Sequence, residues 1–338
     1  MSRSTALAAV LALAAFDGSA SRIEAPPERA YSSFSADPAR GFDFWIGEWD
    51  VNLREFQDGA TFKDSVAGRA SVYSILGGKA ILELCDSTLI QGLRLAHYDP
   101  LEKRWVLWLD WAERNHSQMQ SLGGGFRHGR GEFLSTSSTE PGQTVLTVHS
   151  FTDITPFSLR WDDTYSTDDG KTWMRNWVME FTRTAIEPRW PIRFGAIPTY
   201  VDGGRCDDDR FRPYELLVGK WRGERASFDV LPVLDGCAVM GFLEDDGGAD
   251  EFVFITYDSV EERWVTAVLD ALPETGLVRY TGSHWSHLAA EREGSLAWVV
   301  WNKPGNLRKA GARLLYRRGD RALTLERVED QAALGRFE

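Results

Sequence analysis

Two carboxylates and three arginines stand where short apolar runs would bring them together. Glu83 lies in residues 80–84 (Ala-Ile-Leu-Glu-Leu), and Asp110 lies in residues 105–111 (Trp-Val-Leu-Trp-Leu-Asp-Trp). Both runs are rich in the aliphatic and aromatic residues that favour strands. Alternate side chains of a strand share a face. Ile81 therefore pairs with Glu83 on one face, and Val106, Trp108 and Asp110 share another. We expect Glu83, Trp108 and Asp110 to project into one apolar interior. A lone buried charge is very costly, so each carboxylate needs a partner, and Arg94, Arg160 and Arg175 are the candidates on neighbouring strands. Burial raises a carboxyl pKa, so Glu83 and Asp110 could act as an acid–base pair, with Arg160 orienting an anionic substrate. Structural salt bridges are the competing reading, because ion-pair networks also perturb such groups.

The remaining candidates are weaker. His149, in the strand-like run Val-Leu-Thr-Val-His-Ser-Phe, could face inward. His284 and His287 flank Trp285 with too few further ligands for zinc. The acidic run at residues 244–251 does not have the spacing of a calcium loop and reads as a solvated turn. No nucleophile elbow, phosphate loop or dinucleotide fingerprint occurs. Gly123, Gly124 and Gly125 read as a loop between strands. No cofactor and no resident metal are expected. The three cysteines, Cys85, Cys206 and Cys237, have no metal-like spacing and read as buried free thiols, with a single bridge left open.

The elements that must position these residues occur twice. Residues 42–51 read FDFWIGEWDV and residues 214–223 read YELLVGKWRG. Gly77-Gly78-Lys79-Ala80 is echoed by Asp235-Gly236-Cys237-Ala238. Tyr98-Asp99 with Arg104-Trp105-Val106 is echoed by Tyr257-Asp258 with Arg263-Trp264-Val265. An ordered repeat on this scale implies two copies of one domain. Each copy shows short strands at regular spacing, parted by turn residues, which implies an all-β barrel or sandwich. Thr167-Asp168-Asp169-Gly170 supplies turn chemistry for a hairpin across residues 161–173. In the second copy no Trp matches Trp108, Gly241 replaces Glu83, and that hairpin has no visible counterpart.

The aromatic-x-x-(Trp/Leu)-x-Gly-x-Trp start of each copy resembles the opening of lipocalin-like (calycin-type) barrels. The first copy continues through ILGGKAILE, HYDPLEKRWVLWLD and RWDDTYSTDDGKTW, and so resembles a bacterial lipocalin-like domain family of unknown function. The resemblance implies two tandem antiparallel barrels, at residues 41–186 and 213–332, the second shorter and divergent, with a linker at 187–212. It places Trp49 and Trp221 at the closed ends of their barrels. Some barrels of this kind bind haem through a histidine, for which His149 is the first-copy candidate and His284 or His287 the second-copy one. A fold of this kind leaves function open.

Residues 6–16 (ALAAVLALAAF) are too short for a membrane span. With the small residues after them they read as a signal peptide covering residues 1–20, followed by a linker at 21–40; a plain N-terminal extension is the alternative. The signal reading implies a periplasmic or secreted protein, and its absence a cytoplasmic one. A net charge of −12 argues against nucleic acid or an anionic membrane as partner. The expected function is binding of a small apolar or amphipathic ligand in the first barrel, by Trp49, Glu83, Arg94, Trp108, Asp110, His149, Arg160, Trp161 and Arg175. The alternatives are a barrel isomerase, cyclase or hydrolase using Glu83 and Asp110, or a structural interaction module. Oligomeric state is left open.

Overall fold

The computed structural model describes residues 37–188, 206–211 and 217–327, less a few short connections; beyond Asp270 it describes side chains only for Leu325 and Glu326. The apolar run at 6–16 and most of the interdomain stretch lie outside the described residues. So do His287 and the side chain of His284.

Ten strands form one closed antiparallel barrel. In chain order they are β1 (Gly47–Phe56), β2 (Phe62–Ile75), β3 (Ala80–Ser87), β4 (Gln91–Asp99), β5 (Arg104–Glu113), β6 (His116–Arg127), β7 (Arg130–Glu140), β8 (Gln143–Thr152), β9 (Ser158–Ser166) and β10 (Met174–Ala185). Each strand pairs with its chain neighbours, and β10 returns to β1 to complete the ring. The triple glycine read as a loop lies inside β6. Gly124 is opposite Phe133, and a Cβ there would stand 1.9 Å from the Glu132 carbonyl oxygen, so glycine serves close strand approach rather than a turn.

The chain enters this barrel through a short 3-10 turn, Asp43–Trp45. The Trp49 indole N–H donates to the Trp45 carbonyl at 2.8 Å. The Arg183 guanidinium lies over the Trp49 ring, 4.0 Å from its centroid, and donates to the carbonyls of Pro156, Ile46 and Phe44. Trp45 and Trp49 both belong to the core of the barrel.

The second half is an eleven-stranded antiparallel sheet. Its strands are β11 (Gly219–Arg222), β12 (Ala226–Val233), β13 (Ala238–Asp245), β14 (Glu251–Asp258), β15 (Arg263–Ala271), β16 (Val278–Trp285), β17 (Ala289–Glu293), β18 (Leu296–Val300), β19 (Gly305–Ala310), β20 (Arg313–Arg318) and β21 (Arg321–Arg327). The order β16-β15-β14-β13-β12-β11-β21-β20-β19-β18-β17 parallels that of the first barrel, with β21 beside β11 as β10 is beside β1. Among the described residues β16 and β17 remain edges, so a second closed barrel is not seen. Nor is this half shortened in strand number. The β20–β21 hairpin occupies the place where the sequence showed no counterpart to β9–β10.

The repeated landmarks have matching backbones. Gly47 and Gly219 have φ 137° and 136°, Leu76-Gly77-Gly78 have 54°, 66° and 88°, and Leu234-Asp235-Gly236 have 55°, 51° and 87°. The Trp221 indole donates to Leu217 at 2.7 Å, as Trp49 does to Trp45.

Two apolar cores result. One fills the barrel, with Trp45, Trp49, Phe133, Phe151, Trp161 and Phe181 among its members. The other runs from the outer face of the barrel wall (Leu82, Leu84, Leu93, Leu95) into the second half (Trp221, Phe254). Strands β3 to β5 are therefore buried on both faces. Cys206 and Phe211, from the stretch read as linker, belong to this second core.

Cys206 and Cys237 form a disulfide, with Cα atoms 4.9 Å apart, while Cys85 is free and buried. The free-thiol expectation thus fails for two of three cysteines; Cys206 precedes the repeat, so repeat alignment could not pair it. The bridge closes a separation of 31 residues, worth about 3–4 kcal/mol by chain entropy. Replacing both cysteines by Ser is expected to lower the unfolding free energy by about 3 kcal/mol in a urea titration; an unchanged midpoint would refute a stabilising bridge.

The β9–β10 hairpin turns where the sequence predicts, with Asp169 and Gly170 at φ 58° and 79°. The Asp168 carboxylate accepts from the Thr172 N–H at 2.9 Å, the Thr172 hydroxyl at 2.6 Å and the Ser166 hydroxyl at 2.8 Å. These bonds, with Thr172 the largest contributor, hold its pKa down to about 2. A folded-state pKa below the unfolded one means a contribution present at neutral pH and lost as pH falls towards about 2. Carboxyl NMR titration should show that low midpoint, and Thr172→Val should raise it.

Candidate functional site

The barrel interior contains a charge. Glu83 on β3 and Arg94 on β4 are directly opposed in register, and Arg94 Nη1 lies 2.8 Å from Glu83 Oε2 with both side chains buried. Arg94 shares its strand face with Ala96, and Glu83 with Ile81 and Cys85, all facing the barrel core. The expected inward Glu83 and its Arg94 partner are thus brought together.

Four rings surround the guanidinium. Its carbon is 5.0 Å from the Trp45 and Trp161 ring centroids, 5.5 Å from Phe151 and 5.8 Å from Trp111. These contacts supply cation–π attraction of about 2 kcal/mol or more for a desolvated cation. Gly92, two residues before Arg94 on the same face, makes room for this box. It is opposite Trp111 in register, and a Cβ there would stand 2.3 Å from the Trp111 ring.

The box is under-satisfied. Arg94 Nε, Nη1 and Nη2 all lack a hydrogen bond, so the 2.8 Å approach to Glu83 pairs charges without hydrogen-bond alignment. Glu83 Oε1, Trp45 Nε1, Trp161 Nε1 and His149 Nδ1 are likewise buried without a partner. Nearly all buried polar atoms in proteins are hydrogen-bonded. These exceptions cluster around one guanidinium.

Burial pushes the Glu83 carboxyl up to about 7, against the pull of Arg94. Burial likewise lowers Arg94, opposed by Glu83, Cys85 and Asp163. His149 is lowered by burial too, so its ring stays neutral at neutral pH. Its Nε2 is 3.5 Å from Asp163 Oδ1, and its ring meets Trp161 at 4.9 Å between centroids. Asn176 donates to Asp163 Oδ2 at 2.8 Å. Cys85 is buried in this group, its thiol held far above the ordinary range by burial first and by Glu83 next.

Other expected members lie elsewhere. Asp110 and Trp108 oppose Leu93 and Leu95, which face outward into the second core. Trp108 packs on that core, and Asp110 shares its strand face. The barrel wall separates Asp110 from Glu83, so they form no acid–base pair. The opposite face of β5, with Trp105, Leu107 and Trp111, is the inward one. Arg160 and Arg175 also face away from Arg94. Both hold Asp162, at 2.8 Å and 3.4 Å, on the β9 face opposite to Trp161 and Asp163. Trp49 packs under the Arg183 guanidinium and donates to the Trp45 carbonyl.

Trp45, Trp111, Phe151 and Asp163 were not anticipated as site residues. Gly92 beside a bulky cross-strand ring was the one available signal for Trp111. Trp45 comes from the turn before β1, whose placement depends on the closed barrel.

Among the described residues, no helix is long and apolar enough to cross a membrane, and no cluster of three or more candidate metal ligands occurs. No protein-family model and no curated protein matches this sequence. Among solved structures, the chain is similar to a protein of unknown function from the DUF3598 family of Nostoc punctiforme. Identity is 9%, over 86% of this chain and 99% of that one, with a TM-score of 0.28. That score is below the level of a shared overall fold.

The ion pair predicts an asymmetry. Glu83→Gln leaves Arg94 charged and unpaired, which should cost about 3–5 kcal/mol. Arg94→Met should cost less, because the remaining carboxyl can take a proton and become neutral. Its folded-state pKa then lies further above 4.5, so the folded form binds the extra proton and stability falls as pH rises through neutrality. Urea unfolding of both variants at pH 6 and pH 8 checks both the order and the sign.

Proposed function

We propose that the first barrel is a small-molecule-binding module that holds an apolar or amphipathic ligand against Arg94. The observation that carries this reading is the set of buried, unpartnered polar atoms inside a ring of aromatic side chains. Apolar pockets with a few convergent polar groups are the usual form of a ligand site. A ten-stranded barrel also has a wider interior than an eight-stranded one. In this reading Arg94, Glu83, His149 and Trp161 are ligand-binding residues, joined by Trp45 and Trp111.

An enzymatic role is the second reading. It is favoured by the Glu83 carboxyl near neutrality, where a general acid or base works best. With Asp110 outside the barrel, Glu83 and His149 would be its acid–base residues.

Two further readings belong here. The matching backbone at the repeated landmarks and the parallel strand order support a second lipocalin-like copy serving as a support for the first. The apolar run at 6–16 and the Cys206–Cys237 bridge support an exported protein, since disulfides persist in oxidising compartments.

Native mass spectrometry of the purified protein should release a bound small molecule on collisional activation, and Trp161→Ala should reduce its occupancy. Adding the released compound back to stripped protein should raise Tm. A protein that carries nothing, and whose Tm no compound in a metabolite panel raises, would overturn the binding reading.

A further inference from the structure

The wall of the first barrel is not zipped along its whole length. β6 and β7 pair only from Gly123–Leu134 to Arg127–Arg130, beside the tight turn that joins them. Continued in the same register, Leu122 would oppose Ser135, Ser121 would oppose Thr136, and Gln120 would oppose Ser137; no such pairs form. Neither stretch is frayed. Residues 116–122 stay paired to β5 as far as Glu113–His116, and residues 135–140 stay paired to β8 as far as Glu140–Gln143. Two firmly held strands therefore diverge and leave a slot between them. The backbone edges along the slot have no strand partner, although backbone N–H and C=O groups demand one or water.

The divergence has a visible cause. Met119, on the outward face of β6, packs against the second core, and β6 touches β14 of the second half. At the other end of the strand, Gly124 brings β6 close onto β7. One end of β6 is thus held by β7 and the other by the second half. The second half is open at the same place in its own strand order. Its sixth and seventh strands, β16 and β17, do not pair among the described residues.

Solvent reaches inward-facing residues along the slot. Gln120 shares a face of β6 with Leu122, and Ser135 and Ser137 share a face of β7 with Phe133; Leu122 and Phe133 are buried in the barrel core. Yet Gln120 and Ser135 are partly exposed, and Ser137 is exposed. Thr147, opposite Ser135 on β8, is partly exposed too. On β5, beside β6, the inward Trp111 ring is also partly exposed, and it lies 5.9 Å from the Trp161 ring between centroids. The slot margin is therefore uncharged and hydrogen-bonding, and flat apolar rings stand behind it.

We propose that the slot between residues 116–122 and 135–140 is a side entrance to the first barrel, through which a small apolar or amphipathic ligand reaches the rings of Trp111 and Trp161. The ligand is that of the binding reading above, on which this step rests for its purpose; the entrance itself is tested without it. Parting two paired strands breaks backbone hydrogen bonds, and here none has to break. A margin of hydroxyl and amide groups can exchange hydrogen bonds with a passing ligand or with water, and no charge has to be stripped of its hydration.

The test uses the full-length protein, with the Cys85 thiol as an internal reporter. Cys85 faces the barrel core and is the one cysteine outside the disulfide. It opposes Gly92, which opposes Trp111, so a reagent that reaches it has entered beside the Trp111 ring. The probe is N-ethylmaleimide, and mass spectrometry of the Cys85 peptide gives the labelling rate. Burial raises the thiol pKa and slows the reaction, so all rates are compared at one pH. Wild-type labelling should be faster than global unfolding permits and insensitive to urea below the unfolding transition. Ser137→Trp places a ring on the inward side of the slot and should slow labelling by about tenfold or more. Gln120→Trp, on the facing margin, should do the same. Thr136→Trp, on the exposed outward face of β7, should leave the rate unchanged.

Labelling that follows global unfolding in urea would mean a sealed interior and overturn the entrance. Unchanged rates in Ser137→Trp and Gln120→Trp would put the route elsewhere and overturn it too, as would equal slowing by Thr136→Trp. None of these outcomes bears on the co-purified molecule, which decides the binding reading separately.

Discussion

A closed sheet filled with aromatic side chains takes the polar groups packed among them out of water. Pairing β10 back to β1 closes the ring, and aromatic side chains fill its core. Any polar group inside must then find its partner inside. That constraint explains why Arg94 and Glu83 face each other across adjacent strands, and why four rings crowd the guanidinium. It also gives the unpartnered donors their meaning, since the same groups at the surface would simply be hydrated.

The second constraint is that the barrel wall is buried twice. Strands β3 to β5 pack inward on the aromatic core and outward on the second half of the molecule. Both faces of β5 therefore carry large apolar side chains, with Trp105 and Trp111 on one and Trp108 on the other. A strand of this kind has no polar side to mark its exterior. Asp110 is a consequence: a buried carboxylate that looks like an interior residue but belongs to the seam between the two halves.

The two halves divide the work unevenly. The first encloses the charged box. The second repeats the indole-to-carbonyl bond, the Gly-x-Trp strand and the left-handed corner before the third strand, and adds a disulfide. It has Gly241 where the first has Glu83, and in the structure a Cβ at Gly241 would meet the Phe228 ring at 2.6 Å. The position that carries a charge in one half is thus closed by an aromatic ring in the other. The buried ion pair belongs to the first half, and the second covers the outer face of its wall.

Much of the architecture was legible in local pattern. The repeat, the strand runs and the Asp-Gly turn of the β9–β10 hairpin follow from spacing, alternation and backbone preference, which act over a few residues. The inward direction of Glu83 was legible too, because it sits in a short apolar strand, but Arg94 was only one of three partners the sequence offered it. Which face of β5 turns inward was not, because alternation gives two phases and packing on both sides removes the usual cue. The outward placement of Arg160 and Arg175, the contribution of Trp45 from a turn before the first strand, and the Cys206–Cys237 bridge were equally hidden. Each depends on segments that meet only when the barrel closes and the second half docks, contacts distant in sequence that no local preference encodes.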